Sequence, residues 1–385
     1  MKKAAIFGIG RMGIAISWCM NQYGVSVVGA DTRKEAVEDL SKVVGASDPS
    51  FYCITEGTED FKDVLDYEKP DVVISSLPYH QLEPVARHCI DNNIRYCDLG
   101  GRVDVSQRIN DYAKSLPPDK VASIITDLGL APGWVNILAE EGYREIGEAE
   151  DIKMMVGGLP DKKINPPLNY MTTWSVDGLI NEYKDDCEIL KDCQIVKVKG
   201  MDGLETVEIE KLGELEAFYT SGGASHTIRD MKDRGVHNCC YKTLRYPNHR
   251  DTIKLLIDSV SEDCLRDLLE KACPPDLTTD IVVLAATVGA WPLQWKHWTI
   301  ISAENKNGIH FSAMQKATAY PISAIASLLA DGILDRESRK IERRGYYEYP
   351  SPVLTYKDIP YTNFTKKLSI LDSKLDEHEK KEEAQ

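Results

Sequence analysis

The residues best placed to do chemistry come early in the chain. Ala4-Ala5-Ile6-Phe7 leads into Gly8-Ile9-Gly10-Arg11-Met12-Gly13, a GxGxxG loop between an apolar strand and a helical period. The first glycine permits a tight turn, the second lets the backbone approach a pyrophosphate, and the third lets the helix pack close to the strand. A helix that starts at such a loop turns free N–H groups and a partial positive charge toward phosphate oxygens. A lone glycine loop says little, but here a second strand ends in Ala30-Asp31, followed by Thr32 and Arg33. An acidic side chain at that point accepts ribose hydroxyls and repels a 2′-phosphate. The expected cofactor is NAD, held by Gly8, Gly10, Arg11, Met12, Gly13, Asp31, Thr32 and Arg33. Arg33 is able to stack on adenine or tolerate a phosphate, which keeps NADP as the alternative.

Three later segments end strands with polar residues: Ser75-Ser76-Leu77-Pro78-Tyr79-His80, Asp98-Leu99-Gly100-Gly101, and Asp127-Leu128-Gly129-Leu130-Ala131-Pro132-Gly133. In a doubly wound sheet, ligands sit beyond the carboxyl ends of the strands near the point where strand order reverses. Ser76, Leu77 and Pro78 are therefore expected to reach toward ribose and nicotinamide, with Asp98 and Leu128 on the same edge. Any one of these loops alone reads equally well as a turn or a helix cap. Three on one edge read as a site.

The elements that must hold these loops follow from hydrophobic period. Short apolar runs at Ala4–Ile9, Ser26–Ala30, Phe51–Thr55, Val72–Ser76, Tyr96–Leu99 and Ala122–Asp127 alternate with helical stripes. Leu82, Val85, Ala86, Cys89 and Ile90 form one such stripe, and Ala36, Leu40, Val43 and Val44 another. This alternation predicts an α/β fold, a Rossmann-type doubly wound parallel sheet over 1–135. From Asn136 the pattern turns to strands at Lys153–Val156, Ile195–Lys199, Val207–Ile209, Leu215–Thr220, Tyr241–Arg245, Ile281–Val288 and Trp298–Ala303. Helices are expected at Asp251–Ser259 and Asp263–Cys273, and a hairpin from His297 to Phe311 turning at Asn305-Lys306-Asn307-Gly308. This describes an inserted α+β substrate-binding and dimerisation domain over 136–311, built on an open, largely antiparallel sheet. Ser312–Gly332 reads as a return helix, kinked or restarted at Pro321, and 312–365 is expected to complete the first domain. The charged tail over 366–385 is expected to be a frayed helix or disordered.

Composition narrows the classes of partner. The 385 residues are 43% hydrophobic and 28% charged, a balance that suits two domains with a core each. A formal net charge of -15 with no basic stretch argues against nucleic acid and anionic membranes. No apolar run is long enough to span a bilayer. Ten cysteines are scattered without a CxxC pair, so no metal site and no dithiol chemistry is expected. The segment after Met1-Lys2-Lys3 lacks a secretory signal pattern, and the expectation is a reduced, cytoplasmic protein. No internal repeat is visible.

With these segments placed, the chain resembles the saccharopine dehydrogenase and lysine 6-dehydrogenase family from Gly8 to about Gly332. Beyond the glycine loop, the matching stretches are Asp127-x-Gly-x-Ala-Pro-Gly-x-x-Asn136, Gly157-Gly158-Leu159-Pro160 and Asn165-Pro166-Pro167-Leu168-Asn169-Tyr170. Trp174-Ser175-x-x-Gly178-Leu179-Ile180-x-Glu182-Tyr183, Leu215-Glu216-Ala217-Phe218-Tyr219-Thr220 and Lys242-Thr243-Leu244-Arg245-Tyr246-Pro247-x-His249 follow in family order. The lysine 6-dehydrogenase branch is most similar through Gly157–Tyr183 and Leu215–Thr220, whereas Gly222-Gly223 is a pair found nearer the saccharopine enzymes. The resemblance implies NAD(P)-dependent oxidation of a carbon–nitrogen bond in a small amino acid. Lysine is the first candidate, and saccharopine or a carboxynorspermidine-type substrate the alternative. A non-catalytic dinucleotide sensor is the competing class, and it would need no amino-acid pocket.

An amino-acid substrate brings a carboxylate, which a guanidinium matches bidentately. From position alone Arg245 reads as a solvent-facing strand residue, while the family motif makes it the carboxylate ligand. Trp174, Tyr183 and Thr220 are expected beside it in the substrate pocket. Hydride loss at a C–N centre needs a neutral amine, so a base or water must take a proton. Asp98, Asp127, His226 and His80 are the candidates, and the residues do not choose among them. A homodimer is the favoured assembly.

Overall fold

The computed structural model describes residues 1–46, 49–274, 279–306, 308–343, 346–373 and 375–383. The chain divides into two compact units, Met1–Trp134 with Ala317–Lys374, and Val135–Lys316 with Leu375–Gln385.

The first unit opens with β1 (Lys3–Phe7), α1 (Arg11–Gln22), β2 (Ser26–Asp31), α2 (Ala36–Val44), β3 (Ser50–Cys53) and α3 (Asp60–Glu68). It continues through β4 (Val72–Ser75), α4 (Tyr79–Asp91), β5 (Tyr96–Asp98), α5 (Val103–Ser115) and β6 (Ile124–Ile125). The strands lie in the order β3-β2-β1-β4-β5-β6, all parallel, and strand order reverses beside β1. Burial on both faces explains the lack of polar alternation. Ala5, Phe7, Val28 and Val73 pack on one side against Phe61, Leu65, Leu82, Val85, Ile90 and Ile109 of α3, α4 and α5. Residues between them along the strands, Ala4, Ile6, Val72 and Ile74, are buried as well. The sixth strand is shorter than its sequence predicts, because Asp127 adopts a positive φ of 62° and turns the chain out of the sheet.

The second unit begins within α6 (Trp134–Ile146) and β7 (Asp151–Pro160), then runs α7 (Val176–Lys184), β8 (Cys187–Lys191), β9 (Gln194–Val198), β10 (Glu205–Ile209) and β11 (Gly213–Tyr219). There follow α8 (Thr227–Asp233), β12 (Asn238–Arg245), α9 (His249–Ser259), α10 (Glu262–Ala272), β13 (Asp280–Ala290) and β14 (Leu293–Ser302). The short pair β15 (Glu304–Lys306) and β16 (Ile309–Phe311) precedes α11 (Ala313–Ala330), which carries the chain back to the first unit. In the main sheet β10, β11, β12, β7, β13 and β14 are neighbours in that order, and only β12 with β7 is parallel. One face buries Met155, Leu159, Leu215, Leu244, Val283 and Trp298. The other face carries Phe218 into a core with Leu168, Tyr170, Leu179, Tyr183, Ile253, Leu265 and Leu269, from α7, α9, α10 and the segment before α7.

After α11 come β17 (Ile341–Arg343), β18 (Tyr346–Glu348), β19 (Val353–Leu354), α12 (Tyr361–Leu371) and β20 (Asp376–Glu383). β19 extends the first sheet in parallel beside β6.

Three sequence expectations are corrected. The hairpin expected from His297 to Phe311 is shorter than that: β15 and β16 pair across 304–311 around the expected turn, whereas β14 turns back on β13. Part of the expected turn, Asn307, lies outside the described residues. Of the two alternatives at Pro321, a kink or a second start, the second start does not occur: α11 runs through Pro321 as one helix, at the cost of the hydrogen bond Pro321 cannot donate. The charged tail is neither frayed nor without structure over its described length, since α12 continues to Leu371 and β20 pairs antiparallel with β14. Charge is what an edge strand tolerates and what keeps it from pairing further. Lys296 meets Glu382 across the pair, and the His378 ring stacks on Trp298 at 5.1 Å between centroids.

Candidate functional site

In the first unit the glycine loop is fixed by close approach. Gly8 has φ +88°, and a Cβ there would lie 2.6 Å from the Ser76 carbonyl oxygen and 3.3 Å from Leu77 Cδ2. A Cβ on Gly13 would lie 1.9 Å from the Gly8 carbonyl oxygen, so α1 can start only where residue 13 has no side chain. Gly10 differs: a Cβ on it would meet nothing within 4 Å. Packing therefore explains Gly8 and Gly13, while the open space over Gly10 is the cradle a pyrophosphate needs. The residues present fit a dinucleotide. Its phosphates would face the first N–H groups of α1, around Arg11, Met12 and Gly13, which a helix leaves without intrahelical partners.

Asp31, at the end of β2, spends its carboxylate partly on this loop. Ile9 N donates to one oxygen at 2.7 Å, and Arg33 N and Nε donate to the other at 2.8 and 3.2 Å. Arg33 Nη2 donates to the Ile9 carbonyl at 2.8 Å. The two side chains that would meet the adenosine ribose thus clamp each other and the loop. A carboxylate has about four acceptor sites, so hydroxyl-binding capacity remains. Thr32 is exposed, as is Pro78, while Ser76 and Leu77 are half-buried against Gly8. Leu128 is buried at 1% exposure, so a ligand meets its backbone rather than its side chain.

The strand ends β5 and β6 bring Asp98 and Asp127 together. Asp98 Oδ1 accepts from Gly100 N at 2.8 Å and from Asp127 N at 3.1 Å, and Ser106 Oγ donates to Asp127 Oδ1 at 2.6 Å. Burial, followed by the Asp127 charge, pushes the Asp98 carboxyl up to about 7. Asp98 is wholly buried, so its side chain reaches a ligand only through the Asp127 loop it holds. Gly100, at φ +74°, permits this approach, since a Cβ there would fall 2.2 Å from Asp127 Oδ1. His80 stands apart from the pair, exposed on the first turn of α4 with Glu56 3.9 Å away.

A stability consequence follows for Asp98. Its native carboxyl holds a proton up to about pH 7, whereas an unfolded aspartate loses it near 3.8. The native state therefore binds more protons across that window, and stability falls as pH rises from about 4 to 7. Asp98→Asn keeps an oxygen for both N–H donors and cannot ionise. Thermal melts from pH 4 to pH 8 should show the variant roughly 5 °C more stable at pH 8, converging on wild type near pH 4. Parallel curves would contradict the buried-acid reading.

In the second unit Tyr241, Thr243 and Arg245 share one face of β12, opposite Phe218 and Glu216 of β11. Arg245 is 3% exposed. Its Nε donates to Tyr183 Oη at 2.9 Å and its Nη1 to the Leu244 carbonyl at 2.9 Å, while the Tyr170 ring lies 4.9 Å from the guanidinium carbon. Tyr183 Oη in turn lies 3.1 Å from His249 Nε2, and His249 Nδ1 lies 2.7 Å from the Leu168 carbonyl. A carbonyl only accepts, so Nδ1 carries the hydrogen and Nε2 accepts from tyrosine. Burial, then the Arg245 charge, drives His249 down to about 3, which keeps it neutral and the chain of donors pointing one way. Glu216 anchors the start of α9 by accepting from Asn248 N and Arg250 N, which fixes His249.

Arg245 is thus a buried cation that makes no ion pair with a carboxylate among the described residues; Glu216, directly across the strands, is committed to α9. Trp174 packs against this core with its ring over Gly178. Thr220 Oγ1 and Thr243 Oγ1 lie 2.8 Å apart, both buried. His226, at the start of α8, is half-buried on a loop that Asn136 holds through Thr227 Oγ1 at 2.8 Å and the Ala224 carbonyl at 3.1 Å. Tyr170, His249 and Glu182 have no role in the sequence reading, although each sits inside a quoted motif. Their signal is polar or aromatic character beside buried leucines, which becomes informative only once Arg245 is known to be buried. Among the described residues no cluster of metal-ligating groups occurs, and no helix is long and apolar enough to cross a membrane.

Comparison with known proteins extends this. A family model described as the saccharopine dehydrogenase C-terminal domain matches residues 129–359. The mitochondrial alpha-aminoadipic semialdehyde synthase of Mus musculus is 26% identical over 205 residues, 52% of this chain and 21% of that protein. The saccharopine dehydrogenase (NADP(+), L-glutamate-forming) of Pyricularia oryzae is 24% identical over 276 residues, 69% of this chain and 59% of its own length. The chain thus spans about a fifth of the first and three fifths of the second of these curated relatives. Among solved structures, the apo saccharopine dehydrogenase (L-Glu forming) of Saccharomyces cerevisiae aligns with a TM-score of 0.73 at 16% identity, covering 99% of this chain and 100% of that one, which shows a shared fold. The family match covers most of the chain beyond the glycine loop, the solved fold is shared, and the protein belongs to the saccharopine dehydrogenase family.

Proposed function

We propose that the protein is an NAD(P)-dependent dehydrogenase that oxidises a side-chain carbon–nitrogen bond of lysine or a lysine conjugate. The observation that carries this reading is Arg245, buried and charged, with no ion pair to a carboxylate among the described residues. An unpaired buried charge is costly, so its retention implies a ligand that supplies the counter-charge. A substrate carboxylate does so, using the N–H donors left after Tyr183 and Leu244 are served.

The bound nicotinamide would supply the hydride acceptor. The rest falls to the chain. Arg245 orients the amino acid by its carboxylate, and the Tyr183–His249 pair keeps the guanidinium from swinging. Removing hydride from a carbon next to nitrogen needs a neutral amine, and Asp98, Asp127, His226 and His80 are the candidates to accept its proton. Within the first unit Asp98 holds Asp127 by accepting from its backbone N–H, and Ser106 donates to the Asp127 carboxylate. Loss of hydride from the neutral amine would leave a protonated imine, which water cleaves to an aldehyde and the leaving amine, ammonia in the case of lysine.

Lysine and saccharopine both fit this scheme. The saccharopine reading is favoured by Gly222-Gly223, by the close fit of Gly223 under the Tyr241 ring, where a Cβ would meet Tyr241 Cζ at 2.3 Å, and by the relatives' own activity. For coenzyme, Asp31 favours NAD, while Arg33 beside it and the fungal relative's NADP(+) favour NADP. Absorbance at the reduced-coenzyme band, with each coenzyme against saccharopine and lysine, tests the proposal. Turnover with at least one pair is the expected result, saccharopine being the faster substrate. Silence with all four pairs, in protein shown to bind coenzyme, would reject the activity in favour of a dinucleotide sensor.

A further inference from the structure

Three polar atoms deep in the first unit complete no hydrogen bond among the described residues: Ser75 Oγ, Tyr96 Oη and Asp98 Oδ2. All three residues are at 0% exposure. They share one face of the parallel sheet, because Ser75 of β4 is the register partner of Asp98 of β5 and Tyr96 precedes Asp98 by two residues. On that face Tyr96 and Val73 pack with Leu82, Val85 and Ile109 of α4 and α5, which seals it from bulk solvent. A buried polar atom without a partner costs about 1–3 kcal/mol, so three side by side call for an explanation. The sheet itself explains why Ser75 and Asp98 do not satisfy each other. Neighbouring strands lie about 4.8 Å apart, too far for two short side chains standing parallel to bond. Ser75 and Asp98 both bear on the Tyr96 hydroxyl, yet neither contact closes to hydrogen-bond geometry.

The bonds already made by Asp98 define what fits these atoms. Its Oδ1 accepts from Gly100 N and Asp127 N, so a proton on this carboxyl sits on Oδ2 and needs an acceptor. Burial favours that protonated form. Tyr96 brings a second O–H, and Ser75 an oxygen with lone pairs to offer. A ligand serving all three must accept twice, donate at least once, carry no charge and fit within one layer of side chains. Water meets these demands, and buried waters make about three hydrogen bonds to such atoms. We infer that Ser75 Oγ, Tyr96 Oη and Asp98 Oδ2 bind one buried water molecule behind the strand ends, accepting from Asp98 and Tyr96 and donating to Ser75. This water belongs to the frame of the cofactor crevice. It fixes the carboxyl whose other oxygen anchors the loops after β5 and β6 through Gly100 and Asp127. Its role does not depend on which amino acid is oxidised.

Two measurements on the full chain test the site. A crystal structure at a resolution that orders internal waters should show one water within hydrogen-bond distance of all three atoms. Magnetic relaxation dispersion of the water oxygen counts long-lived internal waters in solution. There Ser75→Val, whose added methyl occupies the water's place, should lower the count by one. Tyr96→Phe leaves the water two partners and should shorten its residence about fivefold, the worth of one neutral hydrogen bond. Asp98→Asn presents an N–H donor in place of the acid O–H and should retain it. Tyr96→Phe, which keeps the ring packing, serves if Ser75→Val does not fold. A crystal structure with Tyr96 Oη bonded directly to Asp98 Oδ2, or with no water at the three atoms, would overturn the inference. So would a count and residence unchanged in both Ser75→Val and Tyr96→Phe.

Discussion

Arg245→Lys should raise KM for the amino-acid substrate about 100-fold while leaving coenzyme affinity unchanged. Lysine keeps the charge but loses the fork, the Nε bond to Tyr183 and the stacking over Tyr170. A hydrogen bond to a charged group is worth about 1.5–3 kcal/mol, and a carboxylate docked on a guanidinium has two to lose. Coenzyme affinity is the control, because the glycine loop belongs to the other compact unit. Steady-state kinetics with varied substrate at saturating coenzyme read the effect directly. An unchanged KM would mean that Arg245 is a structural cation and that the anion binds elsewhere.

Gly10→Ala should cost coenzyme binding about 100-fold and cost the fold almost nothing. Its φ of -83° suits any residue, and an added methyl meets no protein atom within 4 Å. The methyl instead occupies the space where a pyrophosphate must approach the backbone, a loss of roughly 3 kcal/mol if contact is prevented. Gly13→Ala makes the contrast. Its methyl would fall 1.9 Å from the Gly8 carbonyl, so both the melting temperature and coenzyme affinity should drop. Melts and coenzyme titrations on the two variants distinguish a glycine kept for packing from one kept for a ligand. A Gly10→Ala protein that binds coenzyme normally would show that the loop carries no phosphate.

The parallel sheet was legible because its strands are apolar on both faces and its helices show single stripes, so period alone located β1 to β5 and α4. Boundaries failed where one residue's backbone overrode the pattern, as Asp127 does at the end of β6. The tail failed for a different reason. Composition reports how poorly Asp376–Glu383 could form a core, yet an edge strand needs only a partner backbone, which β14 provides. At the site, spacing exposed the glycines and Asp31, since that geometry is local. The chain Arg245–Tyr183–His249 was not legible as a unit, because it joins β12, α7 and α9 across tens of residues. Arg245 on a strand reads as solvent-facing until the layer of helices over Phe218 is known.

The most direct test of the central claim, that the first unit holds a nicotinamide dinucleotide on its glycine loop, is a fluorescence titration of NADH and NADPH with the wild-type protein. The account predicts saturable enhancement with at least one reduced coenzyme, displaced by its oxidised form and lost in Gly10→Ala. A flat titration with both coenzymes, in protein that melts cooperatively, would contradict it.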